Sequence, residues 1–128
     1  MSRVAVTAPG ATAVGPYAHA VRAGDTVYLS GQTPIDATTG CLVEGGFTAQ
    51  VHQCFRNLEA VLTAAGLGFG DAVKCNVFLT DMGDFAAMNH VYAEYFTAPY
   101  PARTTIGVAA LPLGAHVEIE MVAAVPRP

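Results

Sequence analysis

The stretch that decides the fold reads Pro101-Ala102-Arg103-Thr104-Thr105-Ile106-Gly107-Val108-Ala109-Ala110-Leu111-Pro112 and, after four more residues, Val117-Glu118-Ile119-Glu120. Side chains alternate between the two faces of a strand. In a strand over 103–109, Thr104, Ile106 and Val108 share one face, and Arg103, Thr105 and Gly107 share the other. In a strand over 116–125, Val117, Ile119 and Met121 share a face opposite Glu118 and Glu120. Two such strands form part of a sheet whose apolar face is covered by helices. On this reading the apolar sets face the helices, and Arg103, Thr105, Glu118 and Glu120 face away from them.

The rest of the chain supplies the remaining strands and the helices. Short strands are expected over 3–7 and 18–23, and a clearer one over 26–32, where Val27 and Leu29 alternate with Tyr28 and Ser30. Over 47–65, Val51, Phe55, Leu58, Val61, Leu62 and Ala65 recur at helical spacing, and Gly66 supplies a stop. Over 71–79, Val73, Cys75, Val77 and Leu79 alternate with Lys74, Asn76 and Phe78. A second helix starts near Asp84, which can cap its free amides, and carries Phe85, Met88, Tyr92, Tyr95 and Phe96 until Pro99 and Pro101 stop it. The order predicts a two-layer α+β fold: a mixed six-stranded sheet with two helices on one face. The opposite sheet face would be rich in small and apolar residues. Apolar residues make up 52% of the chain and charged ones 12%, about half the usual charged share, so burial of that face between copies of the chain is expected.

Length and charge narrow the function. The 128 residues predict one domain over 1–128. The apolar run over 106–115 is broken by Gly107, Pro112 and Gly114, and falls short of the roughly 20 residues a membrane span requires. Six basic residues (Arg3, Arg22, Arg56, Lys74, Arg103 and Arg127) face ten acidic ones. No two are adjacent, so the basic stripe of a nucleic-acid binder is missing from the sequence. Cys41, Cys54 and Cys75 lack the spacing of a disulfide framework or a zinc ribbon; Cys54 and Cys75 read as small core residues and Cys41 as an exposed loop thiol. Pro9-Gly10 interrupts the opening too soon for a signal-peptide core, which points to the cytoplasm.

Chemistry concentrates at Arg103 and Glu118, with no other charge between them. A guanidinium can grip a planar carboxylate through two parallel hydrogen bonds. A carboxyl group in a partly dry pocket can have its pKa raised and handle a proton or a water. The same residue types also suit a structural ion pair at an interface. Ser30 has no His-Asp partners at a diagnostic spacing. His90 and Glu94, four apart on a helix, read as a solvated pair, and His116 with Glu118 lacks further metal ligands.

Over nearly its whole length the chain resembles the Rid family, also called the YjgF/UK114 family. The resemblance rests on the 101–112 run with Val117-Glu118-Ile119-Glu120, together with Gly15-Pro16-Tyr17, Ser30-Gly31-Gln32-Thr33-Pro34, Asn57-Leu58, Ala65-Gly66, Val77-Phe78-Leu79-Thr80-Asp81-Met82 and Asn89. It implies a chorismate-mutase-like α+β fold and a homotrimer with three pockets between subunits. It also implies hydrolysis of 2-imino acids, or their 2-aminoacrylate tautomers, to 2-oxo acids and ammonia, with no metal or organic cofactor.

Carried over residue by residue, the resemblance makes Arg103 the substrate-carboxylate ligand and Glu118 the residue that positions the attacking water. Tyr17, Ser30 and Asn89 would line the pocket, and Gly31 and Thr105 would contact the ligand through backbone groups. Glu120 reads as a structural or interface carboxylate. Thr105 stands where the family often has Cys, and Gly107 where it is frequently Glu. These departures also admit a homologue devoted to another imine or enamine. Some relatives are described as ribonucleases, translation inhibitors or ligand-binding proteins; the acidic balance weighs against RNA.

Overall fold

Residues 2–9 and 15–127 are described by a computed structural model. Their strands are β1 (Val4–Val6), β2 (Ala20–Ala23), β3 (Thr26–Gln32), β4 (Ala72–Leu79), β5 (Ala102–Gly107) and β6 (Val117–Ala124); the helices are α1 (Phe47–Ala64) and α2 (Phe85–Tyr92). The strands form one six-stranded sheet in the order β1-β2-β3-β6-β4-β5. All neighbours are antiparallel except β4 and β5, which run parallel. This is the mixed sheet with two helices expected from the alternation of patterns.

The core lies between sheet and helices. Val117, Ile119, Met121 and Ala123 of β6, with Cys75, Val77 and Leu79 of β4, are buried against Val51, Cys54, Phe55, Leu58, Val61 and Leu62 of α1. Val73 departs from the alternation and is exposed, because the β4–β6 register shifts between Ala72 and Lys74. Gly66 ends α1 in the left-handed region, with φ +76°. Its amide donates to the Thr63 carbonyl at 3.0 Å and that of Leu67 to the Leu62 carbonyl at 2.8 Å, the paired bonds that close a helix on a glycine.

The second helix starts at Phe85, beside Asp84 as expected, but departs from expectation in its end and in its cap. It stops at Tyr92, well before Pro99, because the amides of Glu94 and Tyr95 bond three residues back, to Val91 and Tyr92. The tightened turn carries Tyr95 and Phe96 onto α1. There Phe55 stacks on Tyr95 at 4.3 Å and meets Tyr92, Phe96 and Phe69 edge-on. Asp84 makes no side-chain cap; Asp81 does the capping one turn earlier, its Oδ1 accepting from the Gly83 amide at 2.8 Å.

The face assignment of β5 is corrected by its register. Cys75 pairs with Arg103 and Val77 with Thr105, and Cys75 and Val77 are fully buried on the helix face. Arg103 and Thr105 therefore point toward the helices, while Ile106 is 45% exposed on the opposite side. Glu118 and Glu120 do lie on that open face, paired with Phe78 and Asn76. Alternation fixes which residues share a face, not which face. At an edge strand whose outer side is itself apolar, the apolar set need not turn inward, and an Arg can lie under a helix that offers aromatic rings.

Candidate functional site

Arg103 belongs to the helix side. Its guanidinium carbon lies 4.8 Å from the Tyr92 ring centroid and 5.7 Å from that of Phe85. Among the described residues no carboxylate comes within 4.0 Å of it. A cation held on ring faces keeps its N–H edge available. It opens on a cavity of about 410 Å³ lined by Asn89, Tyr92, Ala93, Tyr100 and Pro101. Asn89 and Tyr92, three apart on α2, share one helix face, which is how α2 brings both to the guanidinium. The floor is dry. Burial raises the Tyr92 phenol well above its ordinary range, an effect the Cys75 thiol reinforces and Arg103 opposes. Burial likewise pushes the Cys75 thiol up to about 11, against the lowering contributions of Tyr92 and Arg103.

Glu118 belongs to the open face. There β3 carries a bulge: Leu29 pairs with Met121 and Gln32 with Ile119, so Ser30 and Gly31 together oppose Glu120. Such a bulge bends the strand and re-aims its side chains. A β-carbon added at Gly31 would sit 2.5 Å from Glu118 Oε2, so any larger residue here would push the carboxylate from its present position. Burial raises the Glu118 pKa, and the Glu120 carboxylate raises it further. Glu120 is held in place by Asn76, whose Nδ2 donates to its Oε1 at 2.9 Å, in keeping with a structural carboxylate. Ser30 Oγ donates to the Ala18 carbonyl at 2.6 Å, which ties the bulge to the segment carrying Tyr17. Tyr17, Ser30, Gly31, Glu118 and Glu120 line one cavity of about 580 Å³, closed on another side by Pro112 and Leu113.

The residues singled out from the sequence thus fall into two groups. Tyr17, Ser30, Gly31 and Glu118 come together on one face; Arg103 and Asn89 come together on the other. Thr105 lines neither cavity; its Oγ1 is buried without a hydrogen-bond partner on the helix side. Tyr92 and Leu113 were not read as site residues, although the spacing of Tyr92 from Asn89 was a usable signal. Glu94 pairs not with His90 but with His52, at 4.0 Å, and His52 Nδ1 shares a 2.6 Å hydrogen bond with the Tyr95 hydroxyl. Cys54 and Cys75 are buried and Cys41 is exposed, as their spacing suggested. Among the described residues no three of His, Cys, Asp and Glu cluster closely enough to hold a metal ion, and no helix is long and apolar enough to cross a membrane.

Comparison with known proteins gives this arrangement a family. The chain is 50% identical over 113 residues to protein DfrA of Myxococcus xanthus, covering 87% of this chain and 86% of that protein. It is 44% identical over 121 residues to the human protein named 2-iminobutanoate/2-iminopropanoate deaminase, covering 94% and 88%. The crystal structure of RidA from an Antarctic Psychrobacter superposes with a TM-score of 0.92 at 47% identity, over 96% of this chain and all of that one. The family model described as endoribonuclease L-PSP matches residues 7–125, and on these grounds the chain belongs to the Rid (YjgF/UK114) family.

Proposed function

We propose that the chain hydrolyses reactive 2-imino acids, of the 2-iminopropanoate and 2-iminobutanoate type, to 2-oxo acids and ammonia. The observation that carries this reading is Arg103, a guanidinium resting on aromatic rings with no carboxylate within 4.0 Å among the described residues. It suits the carboxylate that every 2-imino acid presents, bound through two charge-assisted hydrogen bonds. The names carried by relatives such as the human protein support the same chemistry.

The second group required is Glu118. As a carboxylate it takes a proton from water while the water oxygen bonds to C2 of the protonated imine. The C=N pair collects on nitrogen, giving a neutral carbinolamine. The proton then passes from Glu118 to that nitrogen, the C–N bond breaks as ammonia leaves, and the hydroxyl returns its own proton to the Glu118 carboxylate as the 2-oxo carbonyl forms. A raised pKa makes this carboxyl a better proton acceptor than an ordinary glutamate.

Arg103 and Glu118 stand on opposite faces of one sheet and open on separate cavities. One substrate therefore meets both only where a second copy brings its Glu118 face against the first copy's Arg103. A closed ring of head-to-tail contacts provides this, and a homotrimer is the expected form. The open face, with Tyr28 and Ile106 exposed, supplies apolar surface for such a contact.

The name of the family model favours a second reading, cleavage of RNA. The Glu118–Glu120 pair on the open face would repel phosphate, and the chain's net charge is −4. The test is direct. Imines are generated from alanine or 2-aminobutanoate by an amino-acid oxidase and trapped with semicarbazide in competition with the purified protein. Faster loss of the imine is expected; no acceleration by protein of confirmed oligomeric state would overturn the reading, and RNA cleavage by the same preparation would replace it.

A further inference from the structure

We infer that Leu113 is a specificity-determining residue, and that it adapts the Glu118 cavity to 2-imino acids with a bulky apolar side chain. This assignment rests on the deaminase reading and names its substrate class.

Three observations meet at this residue. Leu113 lies in the turn Pro112–Gly114 with φ +60° and ψ 17°, the one non-glycine residue among those described with positive φ. A leucine there carries a steric cost that glycine or asparagine avoids. Such outliers persist where the surroundings hold them, and they gather at ligand clamps. Secondly, its side chain is 62% exposed, so burial within the chain does not repay that cost. Thirdly, Leu113 lines the same cavity as Glu118, Ser30, Gly31 and Tyr17. The turn thus holds an apolar side chain, beside Pro112, at the rim of a site that also carries Ser30, Glu118 and Glu120.

The course of a bound substrate agrees. With the substrate carboxylate on a neighbouring Arg103 and C2 at the Glu118 water, the substituent on C3 is left for the remaining wall. Tyr17, 45% exposed, and Leu113 make that wall apolar. An isobutyl, thioether or benzyl substituent would desolvate against it; a methyl group would gain little.

The experiment compares kcat/KM for the imines generated by an amino-acid oxidase from leucine and from alanine, in the native chain and in Leu113→Asn and Leu113→Gly. Both replacements tolerate positive φ, so the turn is kept while the apolar group is lost. The native chain should favour the leucine-derived imine, and the ratio of the two kcat/KM values should fall roughly tenfold in both variants, the scale expected for lost apolar contacts in a specificity pocket. Ratios within twofold of native, with both imines turned over, overturn this assignment and leave the deaminase reading standing. Turnover of neither imine by the native chain overturns the deaminase reading and this assignment with it. A change of oligomeric state in either variant, with the ratio intact, also overturns it, because Leu113 would then belong to the contact between copies.

Discussion

The two faces of the sheet hold their charges by different means. On the helix face Arg103 rests on Tyr92 and Phe85, above a floor that Phe55 and its aromatic neighbours make rigid. That cation is positioned by packing, and among the described residues no carboxylate lies within 4.0 Å of it. On the open face Glu118 is positioned by subtraction: a bulge and a missing side chain at Gly31 leave space for a carboxylate, whose charge burial and Glu120 disfavour. The first half is a cation with its N–H edge open; the second is a carboxylate whose affinity for a proton is raised by its surroundings. On the proposed reading neither half is complete alone, and the chemistry lies where the two meet.

The sharpest way to break the comparison is at the cation. Arg103→Ala should lower kcat/KM for any 2-imino acid by roughly 10³-fold, the scale of two lost charge-assisted hydrogen bonds, with a loss of stability of only about 1–2 kcal/mol from its contacts with the Tyr92 and Phe85 rings. Steady-state kinetics and a melting curve on the same preparation check both. Arg103→Lys should recover only part of the loss, since an ammonium keeps the charge and loses the planar fork.

On the other face Glu118→Gln should lower kcat by about 100-fold with a smaller change in KM. Its effect on stability has the opposite sign. The folded pKa of Glu118 lies above the ordinary glutamate value of 4.5, so ionising it disfavours the fold. The penalty is absent below the unfolded value, sets in as pH rises through the window between the two values, and is complete above the folded one. Glu118→Gln should therefore melt higher than the native chain at neutral pH, and the gap should close as pH falls below about 4.5. A gap of the reverse sign would mean that the carboxylate is stabilised by a partner.

The smallest expected effect is at Gly31. Gly31→Ala should cost about 1–3 kcal/mol, as overpacking does, and should also depress kcat by displacing the carboxylate. Loss of stability with kcat unchanged would separate the bulge from the chemistry.

Much of this was legible in the sequence, and the exceptions have physical causes. Long periodic segments such as α1 and β6 announce themselves, because one face is wholly buried and side-chain period and burial agree. The Gly66 stop reads correctly because only a left-handed residue closes that helix end cheaply. The phase of β5 did not read correctly. Alternation separates Ile106 from Arg103 and Thr105 but does not say which set turns inward at an edge strand; only parallel pairing with β4 does. The end of α2 failed for a related reason: Tyr95 and Phe96 keep helical spacing, but it is packing on Phe55, not the prolines, that turns the chain. The bulge at Ser30-Gly31 left only a glycine as a sign, and the positive φ of Leu113 left none.

The measurement closest to the central claim mixes two inactive chains. Arg103→Ala and Glu118→Gln subunits are unfolded together, refolded as random trimers and assayed against the parents. If each pocket takes its Arg103 from one copy and its Glu118 from the next, roughly one site in four pairs a native arginine with a native glutamate, and roughly a quarter of native activity should return. A mixture as inactive as its parents, with trimers confirmed by sedimentation, would contradict a pocket shared between copies.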